Sequence, residues 1–124
     1  MSEIINPQDA ELEEIILGSC LIESKAITLI ADILRPEAFY NENNLEIYAT
    51  LQSMYRNGQK IDIITVKEEL ARRGKLEFIG GPYTLAHISG RVASSAHLEY
   101  HARILKQKYI RRETILGLSL IHIS

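Results

Sequence analysis

Apolar residues recur at spacings of three and four along almost every stretch of this 124-residue chain. That period belongs to the α-helix, and it dictates more about the fold than any other property of the sequence. Leu12, Ile15, Ile16, Ser19 and Cys20 line one stripe of a first segment, "NPQDAELEEIILGSCLI". Ile27, Ile30, Ala31 and Leu34 line a second, and Ile47, Tyr48, Leu51, Met54 and Tyr55 a third. Val, Ile and Thr nowhere alternate with polar residues over a long run, so no hairpin signal competes with the helical one.

Punctuation sets the boundaries. Asn6 is a candidate N-cap, with Pro7 at the first helical position. Asp9, Glu11, Glu13 and Glu14 then load the positive end of the helix dipole. Ser24 is a candidate cap for the second helix, and "RPEAFY" ends that helix at Pro36, setting Phe39 and Tyr40 beside the core. The third helix runs from Asn43 or Asn44 to Asn57, with Gly58 in the left-handed stop position. Asp62 or Thr65 starts a fourth, which Gly74 ends. Gly80 and Gly81 make a turn, and Pro82 opens a short helix with Leu85 and Ile88 inward. Ser94 or Ser95 caps a last long helix from about Ala96. The expected fold is all-α, a compact bundle of about six helices in one domain.

Charge adds a polarity. The net charge is −2, but residues 1–70 hold 13 acidic and 5 basic residues, and residues 71–124 hold 3 and 9. The halves therefore carry −8 and +6. Arg103, Lys106, Lys108, Arg111 and Arg112 form a basic face on the last helix, suited to an acidic partner or a phosphate backbone. A small helical DNA-binding regulator using that helix is the alternative functional reading. Lys and Arg of this kind contact phosphate without reading bases.

Catalytic motifs are not found. Gly74-Lys75 lacks the Gly five positions earlier and the following Ser or Thr of a phosphate loop. His97 and His101 stand four apart in "HLEYH", the spacing of a zinc pair, but without an obvious third ligand. The adjacent carboxylates Glu13-Glu14 and Glu68-Glu69 fall on different helix azimuths and are expected to be solvated. The single cysteine, Cys20, sits in an apolar run and reads as a buried thiol in a reducing compartment. The first residues are acidic where a secretory leader would be basic, and no apolar run approaches the ~20 residues that span a bilayer. The expectation is a cytoplasmic protein with no membrane partner. No catalytic residue, metal or cofactor is assigned. Tyr100, Ile104, Leu105 and Tyr109 are the candidate surface for a second subunit or another partner, each contributing on the order of 1.5–3 kcal/mol if buried there.

Three stretches in order resemble the N-terminal domain of the bacterial replicative DNA helicase, the DnaB family. They are the first segment quoted above, "LRPEAFYNENNLEIYATLQSMYRNGQKIDIITVKEELARRGKLEFIGGPYTLAHI" and "SSAHLEYHARILKQKYIRRETI". The most specific portions are Glu11 with Ile16-Leu17-Gly18, Phe39-Tyr40, the "G..ID..TV..EL" from Gly58 to Leu70 and the "GG.Y.L" from Gly80 to Leu85. The resemblance implies a ring-shaped hexameric helicase that unwinds DNA in replication. Its ATP and magnesium are held by a separate C-terminal motor. The N-terminal domain implied is a collar, a trimer of dimers that docks primase and in some organisms responds to a helicase loader. It consists of a globular head and a hairpin of two long helices. On this pattern residues 1–94 are the head and 95–117 the first hairpin arm, truncated. The piece itself is expected neither to hydrolyse ATP nor to unwind DNA. The closing "LSLIHIS", residues 118–124, departs from the family pattern. It resembles the read-through of a transposon end used as a sequencing adapter, so it is set aside as a non-native tail.

Overall fold

A computed structural model describes residues 7–115, and among them every regular element is helical. Five α-helices are present: α1 (Pro7–Ile22), α2 (Glu42–Arg56), α3 (Ile63–Arg72), α4 (Pro82–Gly90) and α5 (Leu98–Ile115). Two 3-10 turns, Ala26–Leu29 and Pro36–Ala38, link α1 to α2. Asn6 and the closing residues 118–124 lie outside the described residues.

Local chemistry explains most boundaries. Pro7 begins α1, where its missing N–H is no loss. Asn41 caps α2, its side-chain oxygen accepting the Asn44 N–H at 3.0 Å. Gly58 follows α2 at φ +71°, the left-handed conformation expected of it. Asp62 and Thr65 form a reciprocal capping box on α3: each side chain receives the other's backbone N–H, at 2.8 and 2.9 Å. The final helix starts at Leu98, two residues later than the sequence suggests. Ser94 Oγ accepts the Ala96 N–H in the turn before it.

The second expected helix is the main departure. Ile27, Ile30, Ala31 and Leu34 are all buried, as their spacing predicts. The segment is nevertheless a 3-10 turn followed by irregular turns, and Ser24 does not cap it. Its β-branched residues Ile27, Thr28, Ile30 and Ile33 disfavour a regular helix. Side chains from α2 take over its backbone instead. The Tyr48 hydroxyl donates to the Leu34 carbonyl at 2.8 Å, and Gln52 Nε2 donates to the Ala31 carbonyl at 3.1 Å. Among the described residues there are thus five α-helices where about six are expected.

One apolar core joins these elements. α1 packs against α4, α5 and α2, and α3 packs against α2 and α4. Ile16 and Leu17 of α1, Ile47, Tyr48 and Leu51 of α2, Leu70 of α3 and Leu85 of α4 lie fully buried within it. Phe39 stacks on Tyr48 with ring centroids 4.8 Å apart. Cys20 is buried here too, and loss of solvation pushes its thiol up to about 12.

Candidate interaction surface

α5 has two sides. At about 100° per residue, Leu98, Ala102 and Leu105 fall on one azimuth, and all three are buried against the head. Tyr100 and Ile104 point the other way. Tyr100 is 65% exposed and Ile104 half-buried. The four residues expected to meet a partner are therefore divided. Leu105 lies inside this chain's own core and Tyr109 packs on that core. Tyr100 and Ile104 are left on the outer face, with Ile110 and Ile115 further along.

The basic residues divide in the same way. Arg103, Lys106 and Arg111 are exposed, and Arg103 bonds Glu99 one turn back at 2.9 Å. Lys108 turns inward to Asp9 of α1, Nζ to Oδ1 3.0 Å. Arg112 lies over the Tyr40 ring, 5.1 Å from its centroid. Arg91, capping α4, bonds Glu11 and Glu14 of α1, both at 3.1 Å. Part of the charge asymmetry between the two halves is therefore internal complementarity. The acidic start of α1 is covered by bases from α4 and α5.

The acidic pairs overturn the expectation that they are solvated. Glu13 is fully buried. Its carboxylate accepts the Tyr40 N–H at 2.7 Å, the Asn41 N–H at 3.4 Å and Asn44 Nδ2 at 2.9 Å. These donors belong to the start of α2, where backbone N–H groups lack helical partners. Glu13 thus joins α1 to α2. Burial raises its pKa above the ordinary value, against the lowering effect of those hydrogen bonds and of the Arg112 charge. Glu69 is also buried, between Arg72 and Arg73, the latter bonding at 2.9 Å. Hydrogen bonds from the two guanidinium groups hold its carboxyl at about 2. Glu14 and Glu68 remain partly or fully open to solvent.

His97 and His101 do stand close, ring centroids 6.3 Å apart and edge-on. Partial burial, followed by the His97 charge, lowers the His101 pKa. Among the described residues no group of three His, Cys, Asp or Glu side chains is arranged to hold a metal ion. No described helix is long and apolar enough to cross a membrane.

One exposed feature escaped the sequence reading. Tyr83 is 76% exposed on α4, and its ring lies 6.1 Å from that of His87. Both edge a shallow cleft of about 230 Å³, which Asn41, Asn44 and Thr84 also line. The signal was present: with Leu85 and Ile88 inward, positions 83 and 87 fall on the opposite side of the helix.

Comparison with known proteins is consistent with this architecture. A model of the DnaB-like helicase N-terminal domain matches residues 5–107. The replicative DNA helicase DnaB of Rhodothermus marinus is 43% identical over 108 residues, covering 87% of this chain and 12% of that protein. The replicative DNA helicase DnaC of Bacillus subtilis (strain 168) is 34% identical over 119 residues, covering 93% of this chain and 26% of that protein. This chain thus spans only an eighth to a quarter of those relatives. Among solved structures, the N-terminal domain of DnaB helicase from Mycobacterium tuberculosis superposes with a TM-score of 0.82 at 32% identity, covering 86% of this chain and 78% of that one. A DnaB-like replicative helicase, described with its interactions with primase, superposes at 0.75 with 30% identity, covering 90% of this chain and 26% of that one.

Proposed function

Because the chain belongs to the DnaB-like helicase N-terminal domain family, we propose that it is the collar of a hexameric replicative DNA helicase, a domain whose work is to be held by other proteins. The observation that carries this reading is the family match across nearly all of the described residues, joined to the same fold in a solved N-terminal domain. In this reading the domain assembles with copies of itself and docks primase, the partner named for a structural relative. A helicase loader is a further partner, and DNA is engaged through the whole helicase. Unwinding, with the ATP and magnesium it uses, belongs to the remainder of such a helicase. The cytoplasm is the compartment where it acts.

Residues 1–94 are the head and residues 95–117 the first arm of a hairpin. The arm offers Tyr100 and Ile104 to a neighbouring subunit, since these two sit on its outer side. The alternative, a DNA-binding regulator using the basic helix, is weakened by geometry. Lys108 and Arg112 face the head, leaving Arg103, Lys106 and Arg111 outward.

Sedimentation of the 124-residue chain and of Ile104→Asp across a concentration series tests the surface. The substitution is expected to weaken self-association, and identical profiles would remove Ile104 from the interface. Titration with primase tests the docking: saturable binding is expected, and none would remove primase from the partners of this domain. Nucleotide-saturable ATP turnover by the pure chain would overturn the assignment of the motor to another part.

A further inference from the structure

We propose that the far half of α5 is a strap, fastened to the head mainly by charged groups, and that it detaches and frays beyond Leu105 when those charges are screened. The two halves of α5 are attached by different means. Every buried residue of the helix lies in its first eight positions: Leu98, Ala102 and Leu105, each no more than 1% exposed. From Lys106 to Ile115 none is buried, and Ile110 and Ile115 are 46% and 74% exposed. Tyr109 supplies the one partly buried apolar contact of that stretch with the core.

Charged groups do the rest of the holding. Lys108 Nζ meets Asp9 Oδ1 of α1 at 3.0 Å, and neither side chain is fully shielded from solvent. One helical turn later, the Arg112 guanidinium lies over the rings of Tyr40, at 5.1 Å, and Tyr109, at 5.5 Å. The Tyr40 N–H in turn donates to Glu13, whose negative charge attracts Arg112. Arg112 thus feels the charge of a carboxylate whose oxygens are engaged by Tyr40, Asn41 and Asn44 around the start of α2. The result is a helix anchored at one end by an apolar seal and at the other by charge. Exposed or half-exposed charge pairs respond to salt, whereas apolar burial does not weaken with it. Detaching the strap would re-aim Ile110 and Ile115 without opening the core.

Hydrogen exchange on the 124-residue chain tests this directly. Raising ionic strength from about 0.1 M to about 1 M cuts the screening length from about 10 Å to about 3 Å. Amides of residues 109–115 are expected to exchange about five- to tenfold faster, the loss of one ion pair and one cation–π contact. Amides of residues 102–106 should be unaffected. At low salt, the double variant Lys108→Gln with Arg112→Gln should exchange in 109–115 as the parent does at high salt, with α2 protection unchanged. Arg112→Lys, which keeps the charge, should stay close to the parent. An equal response along all of α5, no response, or a far half already unprotected at low salt would each overturn the proposal. If the double variant disturbs α2, the salt series on the parent decides alone.

Discussion

Gly18 lies so close to Ile88 that a β-carbon built on it would stand 2.6 Å from the Ile88 carbonyl oxygen, and 2.6 Å from Val92 Cγ2. α1 and α4 cross here with nothing between their backbones. The contact on one side is a carbonyl in a helix, which cannot rotate away. Gly18→Ala must therefore push the helices apart, in spite of the better helix propensity of alanine. Overpacking of this kind costs about 1–3 kcal/mol. Urea unfolding of the variant should show that loss at unchanged slope. A variant as stable as the parent would mean that the two helices do not approach this closely.

Tyr48 tests how the irregular segment before α2 is held. Its ring is fully buried on Phe39, and its hydroxyl reaches the Leu34 carbonyl at 2.8 Å. Tyr48→Phe keeps the ring and removes the donor, for a loss of about 1 kcal/mol, since Gln52 Nε2 stands 3.4 Å from the same carbonyl and softens the vacancy. Tyr48→Ala empties the site and is expected to cost about 3–5 kcal/mol. Chemical denaturation orders the two variants, and equal losses would show that the hydroxyl, rather than the ring, holds this segment.

Asp62 is exposed enough to be changed without disturbing the core. Asp62→Ala removes half of the capping box and should cost about 1 kcal/mol, while Asp62→Asn, which still accepts the Thr65 N–H, should cost less. Thermal unfolding separates these outcomes. Loss of the same size in both variants would assign the effect to charge rather than to capping.

The features that a sequence shows well are those decided within one turn of chain. Pro7, Asp62 with Thr65, Gly58 and Gly74 mark real helix ends because their geometry needs only near neighbours. The inward residues of 27–34 were legible for the same reason. Their coil was not, because Tyr48 and Gln52 reach across from α2 to bind its carbonyls. Glu13 was misjudged likewise: its burial follows from donors 27 to 31 residues away. The division of α5 into inner and outer residues was half visible. Tyr100 with Ile104, and Leu105 with Tyr109, stand on adjoining faces by spacing alone, but which face meets the head depends on where α1 lies.

Glu13 and Glu69 are both buried acids, yet they should move stability in opposite directions with pH. Glu13 has a folded pKa raised above its ordinary 4.5 by burial. The folded state holds this proton more tightly than the unfolded chain does, so stability from this group grows as pH falls through the raised folded pKa towards 4.5 and is complete below that value. Glu69 is depressed from 4.5 to about 2 by its two arginines. Its contribution is complete above 4.5 and is lost as pH falls through that value to about 2. Glu13→Gln, which cannot titrate, should therefore flatten the slope above 4.5. Glu69→Gln should flatten the slope only below 4.5. Stability measured across pH for the parent and both variants separates the two groups. If Glu13→Gln leaves the slope above 4.5 unchanged, the carboxylate at the junction of α1 and α2 titrates as it would in water, and its burial is not what sets its proton affinity.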